Sequence, residues 1–305
     1  MRENVLNAKV KKHVKKPTEG SILYTHKGAD KVLFTVVFVI FTLQCFTLIF
    51  PVLWMIVASC KEATEFFIGN PFALPEKWLL GNYVDAFYSL NIEGQATFFE
   101  MIGNSLWYTA ISTAMSVFMP SVTGYVLSKY KFKGRDVIYT VAITAMTLPI
   151  VGSGASYMQL INDMGIYNTP LLPIIGGLGG FGGSFLVYYG FFKSVSWAYA
   201  EAASIDGAGP YTIFFKIMLP QAVPIMLTYA ITNSISNWNA YESVLLYLPD
   251  YLTLAAGLFN YNSTARDNYP VYFAGLIISM IPTIALFSVF SDKIMTSISF
   301  GGLKG

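Results

Sequence analysis

Six long apolar runs, separated by polar segments, dominate the pattern of hydrophobic and polar positions along the chain. Each run is long enough to cross a hydrocarbon core about 30 Å thick, which takes about 20 helical residues. Regular structure is required because lipid offers the backbone no hydrogen-bonding partners, and we expect helices because the runs are too long and too uniformly apolar for barrel strands. We therefore predict an all-α polytopic membrane protein with six transmembrane helices, at residues 32–59, 105–127, 137–161, 171–192, 222–248 and 271–290.

The polar segments divide the chain into three parts. We predict a basic N-terminal arm at residues 1–31, a six-helix membrane domain at 32–292 and a C-terminal tail at 293–305. Within the membrane domain, the longest polar segments predict loops at 61–104 and 193–220. No small-residue cleavage site follows the first apolar run, so we expect a retained anchor and not a removed signal peptide.

Composition and charge agree with a membrane protein and predict its orientation. Hydrophobic residues make up 54% of the chain, charged residues make up 12%, and the mean hydropathy is +0.54. If the N-terminus is cytoplasmic, sixteen of the nineteen Lys and Arg residues lie inside, and Lys61, Lys77 and Arg266 lie outside. By the positive-inside rule, both termini and the 193–220 loop should be cytoplasmic, and the 61–104 loop extracellular. The basic arm either binds anionic lipid headgroups or is a disordered tail that helps set the topology.

Cysteine and histidine are too few to indicate metal or catalytic chemistry. Cys45 and Cys60 lie in and at the end of the first apolar run, where we expect them to pack as small apolar residues. Both histidines, His13 and His26, fall in the N-terminal arm. We therefore expect no metal site and no catalytic residues, and we expect no nucleic-acid partner.

A glycine-rich run at residues 176–184 superficially resembles a phosphate-binding loop. Gly183 stands where that motif needs its lysine, and no strand precedes the run, so we do not expect the chain to bind ATP. The pairs Gly176/Gly180 and Gly179/Gly183 have the spacing that lets membrane helices approach closely. We interpret the run as a site of close helix packing or of a local bend.

The fifth apolar run is unusually polar in its middle and C-terminal half. At helical spacing Asn233, Ser234, Asn237, Trp238 and Tyr241 share one face. Polar groups at such depth face another helix or a water-filled cavity, so this face either joins two helices or lines a transport path. Amides beside aromatic rings suit an uncharged, hydroxyl-rich solute, although they also suit many other polar solutes. The candidate path residues are Asn233, Asn237, Trp238, Asn239, Tyr241 and Glu242.

The loop before the fifth run predicts a cytoplasmic helix–turn–helix. Residues 198–204 predict one helical turn, and residues 210–218, which begin with a proline, predict a second short helix. Gly207 and Gly209 allow the backbone to reverse between them, and Pro220 should begin the next transmembrane helix.

Small and charged side chains on the first of these helices suit a docking surface. Ala202 and Ala203 leave a flat surface beside Glu201, whose carboxylate can pair with a basic residue of a docked protein. Such a loop can rigidly transmit the motion of a separate motor protein to the membrane helices.

This loop resembles the coupling loop of the integral-membrane subunits of binding-protein-dependent ABC importers. The resemblance rests on Glu201-Ala-Ala, on Gly207 six residues after the glutamate, and on Ile217-Met-Leu-Pro220. From about Pro51 onward the chain is similar to the carbohydrate branch of that family, particularly to the maltose-type second permease. Ser196 stands where the family commonly has a proline. The similar segments are Pro75–Trp78 with Asn82-Tyr83, Asn104-Ser105, residues 124–135, Asn237-Trp-Asn239 and residues 301–305.

The resemblance implies a type I ABC importer permease fold that forms half of a pore for a carbohydrate, such as an oligosaccharide. The implied partners are a second homologous permease, two ATP-binding subunits, an extracellular solute-binding protein that contacts residues 61–104, and membrane lipid. ATP and Mg²⁺ would be bound by the ATP-binding subunits, with no cofactor on this chain, in a bacterial cytoplasmic membrane. The implied ATPase-coupling residues are Glu201, Ala202, Ala203, Asp206, Gly207, Leu219 and Pro220.

Three alternatives remain at this point. The chain could be a permease for another polar solute. An ion-coupled secondary transporter could use Glu242, but it would usually show paired halves with broken helices and would need no cytoplasmic docking loop. A membrane enzyme would need paired catalytic carboxylates or a histidine–metal motif, and the predicted spans contain neither.

Overall fold

The structure is a computed structural model that describes residues 28–92, 94–148, 152–264 and 268–301. Most of the predicted basic arm, Pro149, Arg266 and the end of the tail lie outside these residues. The described part is helical, with one isolated β-bridge between Ile92 and Ala96. Its α-helices are α1 Gly28–Ala58, α2 Ala63–Ile68, α3 Gly81–Ser89, α4 Phe98–Lys129, α5 Arg135–Thr147, α6 Ser153–Asp163, α7 Leu172–Gly177, α8 Gly183–Ser194, α9 Ala198–Ile205, α10 Pro210–Ile213, α11 Leu219–Trp238, α12 Glu242–Tyr247, α13 Leu254–Thr264 and α14 Tyr269–Gly301.

Four helical segments of the described chain are long and apolar enough to cross a membrane. They coincide with the first, second, fifth and sixth predicted spans. Their bounds are Lys31–Ala58, Phe98–Lys129, Pro210–Trp238 and Tyr269–Val289.

The third and fourth predicted spans are each divided into two shorter helices. The run predicted at 137–161 becomes α5 and α6, and Gly152 before α6 has a left-handed φ of 81°. The run predicted at 171–192 becomes α7 and α8, with positive φ at Gly180 and Gly182 between them. The prediction of one continuous helix at each place was therefore wrong, because the backbone leaves the helical conformation within each apolar run, at Leu148 and Gly152 in the third run and at Gly180 and Gly182 in the fourth. The count of six spans stays a prediction.

The first helix belongs up to Leu53 to a separate compact unit, and the second unit begins at Trp54. The large apolar side chains of this helix, such as Phe38, Phe41 and Leu48, are exposed along its length. A helix that is apolar all round and exposed in this way is typical of a span whose surroundings are lipid or another membrane helix.

Helix α4 is the central element of the second unit and packs against α8 and α11. It begins at Phe98, seven residues before the span predicted from hydropathy. Thr97 and Glu100 form a capping box there: the Thr97 hydroxyl accepts from the Glu100 N–H, and the Glu100 carboxylate accepts from the Thr97 N–H at 2.8 Å. This local motif extends the helix beyond the apolar run.

Glycines let the fourth predicted span approach α4 closely. A β-carbon at Gly177 would lie 2.5 Å from Cβ of Met115, and one at Gly180 would lie 2.9 Å from the Met119 carbonyl oxygen. The Thr123 hydroxyl donates to the Gly180 carbonyl oxygen at 2.6 Å, so α4 satisfies a backbone group that the helix break exposes. Both interpretations of the glycine run, close packing and a bend, hold, but Gly177 and Gly180 make the close contacts and Gly179 and Gly183 meet open space.

The end of the second unit that carries the 61–104 segment is held by buried polar contacts. The Lys61 ammonium is fully buried; it donates to the Asn70 carbonyl oxygen at 2.9 Å and lies 3.8 Å from the Glu65 carboxylate. The Asn82 amide donates to the Ser59 and Lys61 carbonyl oxygens, both at 2.8 Å. These contacts fix α2 and α3 against the start of the helical domain.

The segment after α12 returns to the same end and packs on α4 and α14. Ser105 Oγ accepts from the Leu254 N–H at 2.7 Å, and the Asn104 amide donates to the Leu252 carbonyl oxygen at 3.1 Å. Gly257 of α13 packs so closely on Met101 that an added β-carbon would overlap its sulfur. The Asn104-Ser105 motif therefore fixes this returning segment to α4.

Candidate functional site

The predicted turn of the coupling loop is a glycine-dependent helix ending. Helix α9 ends at Ile205, Asp206 is its C-cap, and Gly207 follows with a left-handed φ of 85°. The Ala208 N–H donates to the Ala203 carbonyl oxygen at 2.9 Å, and the Gly207 N–H donates to the Ser204 carbonyl oxygen at 3.1 Å. These two bonds form a Schellman motif, which satisfies the carbonyl groups at the end of α9. Gly209 has a φ of −74°, which other residues also adopt. The backbone at this position therefore does not need the freedom of a glycine, contrary to the expectation.

The coupling loop is anchored to the membrane helices by one hydrophobic cluster. Ala200 of α9 and the buried residues Ile213, Phe214 and Met218 pack in a cluster with Tyr125 of α4 and with Tyr188 and Phe192 of α8. The loop therefore packs directly on α4 and α8 through a buried interior, and such well-packed interiors deform little.

Polar and aromatic contacts fix the start of the loop. The Lys129 ammonium at the end of α4 donates to the Val195 carbonyl oxygen. It also lies 6.0 Å from the centre of the Trp197 ring, and Trp197 packs edge-to-face on Tyr130 at 5.9 Å. These contacts set the direction in which α9 leaves α8, next to Ser196, which replaces the proline expected from the resemblance.

The side chains of the loop that do not pack in the hydrophobic cluster form a solvent-exposed surface. This surface carries both charged and apolar side chains. Of the coupling residues predicted from the sequence, Ala203 and Leu219 are partly buried and the others are exposed. Ile205 is 87% exposed and Tyr211 is 81% exposed, so the loop also presents two large, mainly apolar side chains to solvent. The sequence interpretation missed both residues, although a large apolar residue in a polar gap was a usable signal.

The second helix of the loop runs without interruption into the fifth span. Pro220 lies in the first turn of α11, as expected, but α10 continues through a π-helical segment, Phe214–Met218, into α11, so the candidate span already begins at Pro210. Pro220 has no N–H, and the Leu219 N–H donates to the Phe214 carbonyl oxygen five residues earlier. The Gln221 side chain donates to the Ile217 carbonyl oxygen at 2.9 Å and satisfies one further group. The second helix of the loop and the fifth span therefore form one continuous helical segment.

The polar residues in the middle of α11 join it to α4, and we call these contacts the polar seam. The Asn233 amide donates to Ser116 Oγ at 3.0 Å, and the Asn237 amide donates to Thr113 Oγ1 at 3.1 Å. Nearby, Trp238 is buried, and its indole N–H donates to the Ser279 carbonyl oxygen of α14 at 2.9 Å. Of the two interpretations left open by the sequence, this geometry favours helix joining for these three side chains.

The remaining predicted path residues lie beyond the end of α11. The helix was predicted to continue to residue 248, but it ends at Trp238, and a separate helix, α12, begins at Glu242. Tyr241 therefore does not share the helical face of Asn237; its ring stacks on Phe259 at 4.5 Å. Asn239 and Glu242 are exposed. The buried anchor of Trp238 and the φ of −92° with ψ of 2° at Asn239 account for the turn at this place.

A second polar face of α11 is exposed, and we call Thr232, Ser236 and Asn239 the exposed stripe. Each side chain donates to a backbone carbonyl group four residues earlier: Thr232 to Thr228 at 3.0 Å, Ser236 to Thr232 at 3.1 Å, and Asn239 to Ile235 at 2.8 Å. These bonds use the hydroxyl protons of Thr232 and Ser236 and one amide proton of Asn239, and they leave the side-chain oxygen atoms able to accept hydrogen bonds. Together with the Glu242 carboxylate, the stripe presents an acceptor-rich surface at one edge of the membrane domain.

The comparison with protein families identifies the chain. Residues 116–298, more than half of the sequence, match the binding-protein-dependent transport system inner membrane component family. The chain belongs to this family. The matched range contains the coupling loop, the exposed stripe and the α11 residues of the polar seam.

Several curated relatives and solved structures are similar along most of the chain. The diacetylchitobiose uptake system permease protein NgcG of Streptomyces coelicolor is 30% identical over 263 residues, which are 84% of each chain. The arabinooligosaccharides transport system permease protein AraQ of Halalkalibacterium halodurans is 28% identical over 87% of this chain and 94% of its own. A bacterial ABC transporter that imports the acidic polysaccharide alginate has a similar chain fold, with a TM-score of 0.70 at 21% identity, covering 88% of this chain and 98% of that one.

These similarities establish an ABC importer permease fold in a multi-pass membrane protein. Members of this family are transport components, so the chain is a transport subunit and the enzyme alternative is set aside. Broken helices also occur in secondary transporters, but here they belong to a family that transports with a binding protein.

Proposed function

We propose that this chain forms half of the translocation pathway of an ATP-driven importer for an oligosaccharide. The observation that carries the proposal is the coupling loop, whose exposed surface is joined through α10 and the π-helical segment to the fifth span. The pathway is completed by a second, homologous permease. Two ATP-binding subunits bind ATP and Mg²⁺, and the coupling loop of this chain docks on one of them.

The relatives support the carbohydrate substrate. Their names concern diacetylchitobiose, arabinooligosaccharides and starch degradation products. The exposed stripe supports the same class independently, because its oxygen atoms accept hydrogen bonds and sugar hydroxyl groups can donate them.

The arrangement supports rigid-body coupling. When the ATP-binding subunits close, the Glu201 carboxylate, Ala202, Ile205 and Gly207 move with the cleft in which they are seated. Because the loop shares a buried cluster with α4 and α8, these helices rotate with it between inward-facing and outward-facing arrangements.

The same proposal assigns an orientation. The coupling loop and both termini lie in the cytoplasm of a bacterial cell, and the 61–104 segment lies on the outer side of the cytoplasmic membrane. A solved relative of this fold, with a TM-score of 0.58, is an alginate transporter in complex with a periplasmic protein bound to an alginate pentasaccharide. We assign to the 61–104 segment the contact with the solute-binding protein of this importer.

We assign the substrate path to the exposed stripe and Glu242, and we retain Tyr241 at its outer edge. Asn233, Asn237 and Trp238, which the sequence also suggested for the path, hold the helices together through the polar seam. Substitutions on the two faces of α11 should therefore affect different properties. Those in the exposed stripe should affect transport, and those in the polar seam should affect stability.

Substitutions at Ser236 and Asn237 should therefore have different effects. We expect Asn237→Ala to lower the stability of the purified complex by about 0.6 kcal/mol, with about 1.7 kcal/mol as an upper value for such bonds. We expect Ser236→Leu to leave stability unchanged and to lower oligosaccharide uptake by at least about tenfold, because it replaces an acceptor in the path by an apolar side chain. Thermal unfolding and proteoliposome uptake measure the two effects, and equal uptake by Ser236→Leu and wild type would reject the path assignment.

Reconstitution tests the proposed function directly. The chain is co-expressed with the second permease, the ATP-binding subunits and the solute-binding protein, and proteoliposomes are assayed with labelled diacetylchitobiose, arabinotriose and maltotriose. We expect uptake of at least one of them, with a requirement for ATP and for the solute-binding protein. Uptake driven by an ion gradient without the ATP-binding subunits would reject the proposal in favour of a secondary transporter.

A further inference from the structure

Three tyrosines from three different helices meet near the end of the membrane domain that lies away from the coupling loop. Ser243 and Tyr247 lie four residues apart on one face of α12. The Ser243 hydroxyl is 3.4 Å from the Tyr108 hydroxyl of α4. The Tyr247 ring packs edge-to-face on the Tyr157 ring of α6, with the ring centres 5.0 Å apart. We call Tyr108, Tyr157, Tyr247 and Ser243 the tyrosine cluster.

Two phenol groups of the cluster have unused hydrogen-bonding capacity. Within the described residues, neither the Tyr157 hydroxyl nor the Tyr247 hydroxyl has a hydrogen-bonding partner, and both side chains are partly exposed. Each hydroxyl lies beside a glycine: Tyr157 Oη is 3.5 Å from where a β-carbon of Gly176 would stand, and Tyr247 Oη is 3.9 Å from that position at Gly154. The absence of these β-carbons leaves space next to both hydroxyl groups.

The loop that follows α6 holds the cluster in place. The Asn168 N–H donates to the Tyr247 carbonyl oxygen at 3.0 Å. The Asn168 side chain binds Asp250 twice: its amide donates to the carboxylate at 2.6 Å, and its carbonyl oxygen accepts from the Asp250 N–H at 3.0 Å. Asn168 adopts the left-handed region, with φ 52°, to make these contacts. The C-terminal end of α12 is therefore fixed before any ligand binds.

We propose that the tyrosine cluster is a binding subsite for an uncharged, polyhydroxylated glycan. Phenol groups donate and accept hydrogen bonds, and aromatic rings provide apolar faces against which the C–H groups of a sugar can pack. The charged residues nearest to Tyr247 along the chain, Glu242 and Asp250, both carry exposed carboxylates, and Asp250 is bound to the same Asn168 that holds Tyr247, so a glycan that carries carboxylates is disfavoured here while neutral hydroxyl groups are accepted. This subsite rests on the proposed function and would be the outer end of the path formed by the exposed stripe.

Direct binding to the intact complex tests the subsite. The purified complex of both permeases and both ATP-binding subunits, without the solute-binding protein, is dialysed against labelled diacetylchitobiose, arabinotriose, maltotriose and an alginate trisaccharide. We expect Tyr157→Phe and Tyr247→Phe each to raise the Kd of the neutral glycan that binds by about three- to tenfold. The double variant should raise it further, because two separate hydroxyl groups are lost. Each exchange keeps the ring and its stacking.

Tyr139→Phe is the matched control, because Tyr139 also stacks on a tyrosine, Tyr189, in a different hydrophobic cluster. We expect no change in Kd for this variant. The subsite is overturned if the double variant binds the neutral glycan as the wild type does, if none of the neutral glycans binds, or if the alginate trisaccharide binds most tightly. The proposed function itself would be rejected by a different result. That result is oligosaccharide uptake that does not require the ATP-binding subunits.

Discussion

Replacing Gly207 by valine should uncouple ATP hydrolysis from transport. Gly207 has φ 85°, and a β-branched residue in the left-handed region costs at least about 1–2 kcal/mol. We expect the chain to leave this conformation, so that the Schellman bonds to Ser204 and Ala203 break and α9 changes its direction. Hydrolysis of ATP by the reconstituted complex, stimulated by loaded solute-binding protein, should then fall by about tenfold or more.

The Gly207→Asn variant is the control for this prediction. Asparagine tolerates the left-handed region, and a β-carbon at this position meets no atom of the chain within 4 Å. Gly207→Asn should therefore keep the loop conformation and retain more coupling than Gly207→Val, unless its side chain meets the docked subunit. Both variants should be present in the membrane in normal amounts. Normal stimulated hydrolysis by Gly207→Val would show that the turn has no coupling role.

Replacing Gly124 by alanine adds only one methyl group, but it should strongly destabilise the second unit. Gly124 is the point where α4 lies against α8, and an added β-carbon would lie 2.8 Å from Tyr188 Cβ and 2.9 Å from the Tyr189 backbone nitrogen. Neither of these atoms is the end of a flexible side chain, so the two helices must separate. We expect a loss of about 1–3 kcal/mol, typical of overpacked interiors, in the thermal unfolding of the purified complex.

Gly103→Ala on the same helix is the matched control. A β-carbon at Gly103 meets nothing within 4 Å, so the exchange should be neutral in this chain or stabilise the helix by about 0.5–1 kcal/mol. Because both variants make the same chemical change in α4, their difference measures the close approach to α8. Equal unfolding temperatures for the two variants would contradict the described packing.

Hydropathy predicted those elements of the fold that are continuous apolar helices. The first, second, fifth and sixth spans coincide with long helical segments because each run lacks an internal left-handed glycine. The fourth span could not be placed from hydropathy, because its break depends on contacts of Gly177 and Gly180 with α4, more than fifty residues earlier. The early start of α4 at Phe98 was predictable in principle, since Thr97 and Glu100 have the spacing of a capping box.

The candidate site was predictable where its chemistry is local. The turn at Gly207 follows from the residues beside it, and the structure has the expected left-handed conformation there. The role of Asn233 and Asn237 was not predictable, because it depends on which helix carries their acceptors, and Ser116 and Thr113 lie more than one hundred residues away. The end of α11 at Trp238 was missed for the same reason, since its indole partner lies on α14.

The central claim is that this coupling loop receives the motion of an ATP-binding subunit. Cysteine crosslinking tests it most directly, with Ile205→Cys introduced into a chain in which the native Cys45 and Cys60 are replaced by alanine. Tyr88→Cys is the control, because Tyr88 is 72% exposed at the other end of the domain. We expect Ile205→Cys to crosslink to an ATP-binding subunit in the assembled complex and Tyr88→Cys not to do so. Labelling of Ile205→Cys from outside the cell by a membrane-impermeant thiol reagent, with no crosslink to that subunit, would contradict it.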